Sequence, residues 1–165
     1  MTEENRIRGR YYEDLEVGMV LRHPLGRTVT QTDNAWFTLL TANSNPIHFD
    51  VHYAAQTEFG KPLVNSTFTF SVVTGLSVAD LSQYAINLGW DDVRIPAPLF
   101  EGDTIYAQTE VLSRRESKSR PNMGLVEVKT TGFKQDGCVI MEFKRTILVY
   151  KRGYAPHQPL PVLRK

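Results

Sequence analysis

Residues 125–151 read LVEVKTTGFKQDGCVIMEFKRTILVYK, two alternating runs (125–135 and 138–151) on either side of Asp136-Gly137. Both runs are rich in Val, Ile, Thr, Phe and Tyr. Successive side chains of a strand point to opposite faces, so this alternation marks strands with one buried face. In the second run Val139, Met141, Phe143, Ile147 and Val149 share a face, and Glu142, Lys144 and Thr146 share the other. An Asp-Gly pair between such runs predicts a type I′ hairpin, in which both central residues take positive φ. The stretch from Thr104 to Arg114 repeats the alternation one strand earlier. All three predicted strands exceed the usual five or six residues.

Upstream of these strands the period becomes helical. From Ser66 to Leu81, Phe68, Val72, Leu76 and Ala79 recur at near-helical spacing, and Phe70 and Val73 widen the stripe. Ser66, Ser71, Thr74, Gly75 and Ser77 interleave small side chains that let such a helix lie close to a sheet. Earlier still, Thr30-x-x-Asp33 has the form of a capping box ahead of Trp36, Phe37, Leu39 and Leu40. That helix is predicted to stop in Thr41–Asn45, before Pro46. Asp50 is placed to cap a second helix running through Phe59, closed by Gly60, with Pro62 beyond. Trp36, Phe37 and Phe70 read as core. Helices followed by long antiparallel strands predict an α+β fold, a curved sheet wrapped around the 66–81 helix. Its exposed edges predict edge-to-edge dimerisation.

The length of 165 residues suits one domain, read as 11–152 between a flexible N-terminus (1–10) and a tail (153–165) broken by Pro156, Pro159 and Pro161. The N-terminus is polar, and no window approaches the run of about 18 apolar residues that a membrane helix needs. With 19 basic and 18 acidic residues the chain has no global field for nucleic acid or an anionic membrane. A lone Cys138 excludes an intramolecular disulfide framework, and no His/Cys spacing suggests a metal site. These features predict a cytoplasmic protein with a small-molecule partner. One local exception is Arg114-Arg115-Glu116-Ser117-Lys118-Ser119-Arg120, with four cations against one anion.

The segment Thr41-Ala42-Asn43-Ser44-Asn45-Pro46-Ile47-His48-Phe49-Asp50, followed by Tyr53-Ala54-Ala55, resembles the signature of the MaoC-like dehydratases and R-specific enoyl-CoA hydratases. Asn45, Pro46, His48 and Asp50 match that pattern, whereas Ala42 and Asn43 replace its Gly and catalytic Asp. Gly60-Lys61-Pro62-Leu63-Val64 resembles the family's entry into its central helix, with Asn65-Ser66-Thr67 replacing His-Gly-Met. Pro96-x-Pro98-x-Phe100-Glu101-Gly102-Asp103-Thr104 is similar to its Pro-Gly-Asp-Thr strand start, with Glu101 replacing proline. The resemblance spans about residues 12–150. Residues 88–94, 100–104 and 119–121 further resemble a subgroup of mesaconyl-CoA hydratases, also called β-methylmalyl-CoA dehydratases.

The resemblance implies a hot-dog fold with a helical overhang, dimeric or larger, and reversible hydration of a 2-enoyl-CoA with no cofactor besides the CoA of the substrate. Such chemistry needs a base for the attacking water, an acid for C2, and donors for the thioester oxygen. Carried over by position, His48 is the imidazole, Asn43 stands at the Asp, and the Ser66 N–H serves the oxygen at a helix N-terminus. An amide orients water but takes no proton at pH 7. Either His48 makes both transfers or a carboxylate substitutes, with Asp50, Glu58 and Glu101 as candidates. Asn45 and Asp50 belong to the expected substrate-binding set. Arg114, Arg115, Lys118 and Arg120 are candidates for the CoA phosphates. Arg94 and Arg27 are candidates for the free carboxylate of a dicarboxylic acyl group. His52 reads as surface or supporting, and His23 and His157 as solvated. Two other readings stay open: a thioesterase, disfavoured because 66–79 holds no carboxylate, and a silent acyl-CoA-binding subunit.

Overall fold

The computed structural model describes residues 9–156. Its elements are β1 (Val20–Arg22), β2 (Arg27–Thr28), α1 (Gln31–Leu40), α2 (Val51–Ala54), α3 (Ser66–Leu76), β3 (Ala85–Arg94), β4 (Thr104–Glu116), β5 (Met123–Lys134) and β6 (Val139–Tyr150). One antiparallel sheet of six strands runs β1-β4-β5-β6-β3, with β2 also on β4. Helix α3 lies across β4–β6, the hot-dog arrangement. His157 and the ends of both predicted terminal segments lie outside the described residues. Gly9 packs against Gln83 and Tyr84. None of the described helices is long and apolar enough to cross a membrane.

The contact between α3 and the sheet depends on a small residue in the strand rather than in the helix. Gly132 of β5 faces the fully buried Val73, and a Cβ at Gly132 would stand 2.4 Å from Val73 Cγ2. Val64, Phe68, Val73, Ile105, Ala107, Met141 and Phe143 close the core on this side. Full burial of each large apolar side chain contributes about 1.5–3 kcal/mol. The buried face of α3 is Phe68, Thr69 and Val73, so the predicted stripe is rotated and Phe70, Val72 and Leu76 are only half-buried.

Several expectations need correction. The 66–81 helix is two pieces, α3 and a π-helical turn at Val78–Ser82. Helix α2 ends at Ala54 rather than Phe59, because the Thr57 hydroxyl donates to Ala54 O (2.7 Å) and accepts from Phe59 N, competing with the helical pattern. Gly60 does take the left-handed φ of +66°. At the hairpin only Gly137 has positive φ (+83°), and Gly137 N donates to Lys134 O. The connection is therefore a turn closed by a left-handed glycine rather than type I′. The edge strand β3 lacks a strand signature, because Asn87, Gly89, Asp91 and Asp92 blur its alternation, and its pairing with β6 is irregular in two places.

His23 is buried rather than solvated. It extends β1 through His23 N→Ala107 O, and its ring bonds Asp80 Oδ2 and Thr109 Oγ1, both at 2.9 Å. Arg145, in phase with Met141, Phe143 and Ile147, is also fully buried. It donates to Ser77 Oγ at 2.9 Å, and burial pushes its pKa down to about 10.

Helix α1 is inside out. Its capping box forms as predicted, with Thr30 and Asp33 exchanging hydrogen bonds. Its buried residues are nevertheless Asn34 and Thr38, while Trp36, Leu39 and Leu40 are 67%, 63% and 75% exposed. Trp36 is thus not core. Phe37 is half-buried and meets the Phe68 ring edge-on at 5.5 Å.

Candidate active site

His48 closes a short 3-10 turn, Pro46–His48, that its own sequence organises. Asn45 Oδ1 accepts from Ile47 N (3.2 Å), and Pro46 supplies a helical φ at the first position, where no N–H is needed. Just before it, Asn43 Oδ1 accepts from Asn45 N (3.0 Å). Ala42 sits at φ +55°, which explains why the resembling signature carries glycine there. Just after it, Asp50 Oδ1 accepts from Tyr53 N (2.9 Å) and caps α2. The side chains of Asn45 and Asp50 are therefore turn and cap residues. They shape the backbone around His48 and do not line the cleft beside it, contrary to their expected place in the substrate set.

The imidazole lies on the wall of a cleft of about 310 Å³. Leu63, Val64, Ser66 and Thr69 form the side at the start of α3, and Ile95–Leu99, Phe59 and Ile140 form the rest. Polar side chains in this lining come from His48, Ser66 and Thr69, and no lining residue is charged. His48 Nδ1 lies 2.8 Å from Leu63 O. A carbonyl only accepts, so Nδ1 carries a proton, and in the neutral ring the lone pair is on Nε2. This is the tautomer a general base needs.

Ser66 is the first residue of α3, where backbone N–H groups have no intrahelical partner. Asn65 caps Thr67 N with its Oδ1 at 2.9 Å. Among the described residues, Ser66 N has no acceptor in the protein. A smaller apolar recess of about 240 Å³, lined by Thr67, Phe70, Val93 and Met141, shares Ser66 and Ile95 with the cleft. His48 and Ser66 thus line one cleft. Asn43 is three residues before the Pro46–His48 turn and does not line the cleft.

The remaining candidates lie elsewhere. Arg94 faces a recess lined mostly by polar side chains, with Asp92, Lys129, Glu142 and Lys144, on the sheet's other face. Arg27 pairs with Asp33 at 2.6 Å. Glu58 and Glu101 are exposed and not part of the lining. Arg114 donates to Leu15 O (2.8 Å) and stacks over the Tyr12 ring, so it anchors the N-terminal segment rather than a phosphate. Arg115, Lys118 and Arg120 are exposed beyond it. Ile140, on the cleft wall, is level with Tyr106 and Ala107 in the strand register. Seven residues of β4 separate Ala107 from Arg114, roughly 23 Å at 3.3 Å per residue. The cationic patch is therefore at the far end of the sheet. A cation near the cleft that the sequence did not single out is Lys61, 4.4 Å over the Phe100 ring, which in turn contacts the lining residue Phe59.

The chain is 30% identical over 156 residues to a mesaconyl-CoA hydratase of Cereibacter sphaeroides, covering 94% of this chain and 45% of that protein. It is 34% identical over 107 residues to an (R)-specific enoyl-CoA hydratase of Aeromonas caviae, covering 64% and 78%. A Mycobacterium tuberculosis protein with a double hot-dog fold superposes with a TM-score of 0.80 at 24% identity, covering 90% of this chain and 47% of that one. The chain thus spans about half the length of the first relatives it matches. Residues 14–132 match the family model described as the MaoC like domain, and the chain belongs to that family.

Proposed function

We propose that this chain reversibly hydrates the double bond of a 2-enoyl-CoA thioester. The observation that carries the reading is His48. Its Nδ1 is tied to Leu63 O, which puts the lone pair of the neutral ring on Nε2, and His48 lines a mostly apolar cleft together with Ser66, the first residue of α3. In this reading Nε2 takes a proton from water as its oxygen bonds C3, and the electron pair of the double bond moves toward the thioester carbonyl. The Ser66 N–H stabilises the oxygen as it becomes enolate-like, helped by the helix dipole. The imidazolium then returns a proton to C2, so one water is consumed and nothing else is needed. Asn43 supports the turn, and Lys61 is a candidate contact for the CoA phosphates. Relatives named mesaconyl-CoA hydratase, β-methylmalyl-CoA dehydratase and (R)-specific enoyl-CoA hydratase support the chemistry.

Two acyl classes follow. The uncharged lining favours an apolar acyl group, since a carboxylate buried without a counter-charge is strongly disfavoured. The relatives' names favour a dicarboxylic one, which would need a cation from outside this chain's cleft. We further propose a cytoplasmic enzyme and a homodimer paired along β3. That edge strand exposes Ile86, Leu88, Trp90 and Val93 and leads into the cleft wall at Ile95.

The test follows loss of enoyl-thioester absorbance with free thiol measured in parallel, over a panel including crotonyl-CoA and mesaconyl-CoA. His48→Ala is expected to lower kcat by about 10²- to 10⁴-fold. Asn43→Asp is expected to keep or raise it, because a carboxylate oxygen still accepts from Asn45 N. Undiminished hydration in the alanine variant, or thiol release in place of hydration, defeats the assignment.

A further inference from the structure

Asn34 makes three hydrogen bonds from the inward face of α1, and each reaches a different piece of the candidate site. It is 4% exposed. Its Nδ2 donates to His48 O at 2.7 Å and to Leu63 O at 3.1 Å, and its Oδ1 accepts from Asn65 N at 2.9 Å. Leu63 O is also the acceptor for His48 Nδ1, so that one carbonyl stands between the two side chains. Asn65 is the residue immediately before Ser66 and the cap of α3.

We propose that Asn34 is the positioning residue that sets the His48 imidazole against the N-terminus of α3. The inference rests on the hydratase reading above. The task needs two donors and one acceptor in a single compact group, which a carboxamide has and a carboxylate, hydroxyl or aliphatic group lacks. Asn34 fixes the carbonyl that fixes the tautomer, holds the backbone of the base itself, and ties both to the helix whose first N–H meets the substrate oxygen. It does not line the cleft and acts only through these groups. The same demand explains why α1 turns Asn34 inward while Trp36, Leu39 and Leu40 are exposed.

A merely structural role would be shared with Thr38, whose hydroxyl accepts from Asn65 Nδ2 at 3.2 Å and also ties α1 to α3 without touching His48 or Leu63. The experiment compares the full chain with Asn34→Asp, Asn34→Ser and Thr38→Val, using crotonyl-CoA hydration and melting temperature. Misplacing a catalytic group by about 1 Å costs on the order of 10²-fold. Both Asn34 variants are therefore expected to lose roughly that factor in kcat with KM within about twofold. In Asn34→Asp the acid limb of the kcat profile is expected to move to higher pH, because an anion now lies beside the imidazole. Thr38→Val is expected to match their loss of melting temperature while keeping kcat within about twofold. Equal kcat losses in Thr38→Val, or an unmoved pH profile with kcat intact in folded Asn34 variants, overturn the proposal.

Nitrogen-15 spectra of the His48 ring supply a readout independent of turnover. The wild type is expected to show one Nδ1–H tautomer, and the Asn34 variants a mixture. If the wild type hydrates no enoyl-CoA, the function assigned above fails while this arm still decides the role of Asn34. An unchanged tautomer in the variants rejects it.

Discussion

At the scale of single residues, the molecule places polar side chains where local pattern calls for apolar ones. His23 illustrates the consequence for stability. Burial holds its pKa below the ordinary 6.5, and the hydrogen bond and charge of Asp80 oppose that shift only in part. A histidine with a lowered folded pKa binds its proton more readily in the unfolded chain. Its contribution is therefore complete above about pH 6.5 and is lost as pH falls from there through the folded value. Unfolding free energy from urea titrations is expected to be flat between pH 8 and 7, then to drop below 6.5 by up to about 1.4 kcal/mol per pH unit. His23→Gln, which keeps polar atoms for Asp80 and Thr109, is expected to flatten that limb. Stability that rises on acidification across the same window contradicts this account.

Among the elements, α3 has two duties: it fills the curve of the sheet and presents its N-terminus to the cleft. Both depend on how closely it lies on β5, and Gly132 sets that distance. Val73 is β-branched, so its rotamer in a helix is stiff, and it is fully buried. A methyl at Gly132 forces the helix to move rather than one side chain to swing aside. Gly132→Ala is expected to cost about 1–3 kcal/mol, a melting-temperature loss of roughly 2–4 °C per kcal/mol for a domain of this size. Because α3 carries Ser66, kcat should fall as well. A variant with wild-type melting and turnover would show that the contact has slack. Helix α1 teaches a related lesson. Its capping box was readable from Thr30 and Asp33 alone, but which face it buries was not, because the answer lies in carbonyls of residues 48 and 63.

For the whole molecule, the sheet ends on one side in the short strands β1 and β2 and on the other in β3. That edge carries Leu88 (55% exposed) and Trp90 (40%). Unpaired backbone and apolar side chains together invite a second copy. Light scattering at micromolar concentration is expected to give the mass of a dimer. Leu88→Lys, a charge placed on the edge, is expected to shift it to monomer and lower activity, since Ile95 continues from β3 into the cleft. A monomeric wild type would remove the argument.

Local sequence determined β4, β5, β6 and the course of α3 through their repeats and the start of α1 through its capping box, because these signals are written in neighbouring residues. The residues around His48 were likewise legible as a signature, down to the glycine position that Ala42 now fills in a left-handed conformation. Tertiary structure decided the rest. It recruited β3 despite its poor alternation, carried Arg114–Arg120 to the far end of the sheet from the cleft, and buried His23 and Arg145. It also brought Asn34, His48, Leu63 and Asn65 into one hydrogen-bonded group. The reason is physical: the partners of a buried polar group are chosen by which distant backbone atoms need a donor or an acceptor, and no spacing within one segment records that.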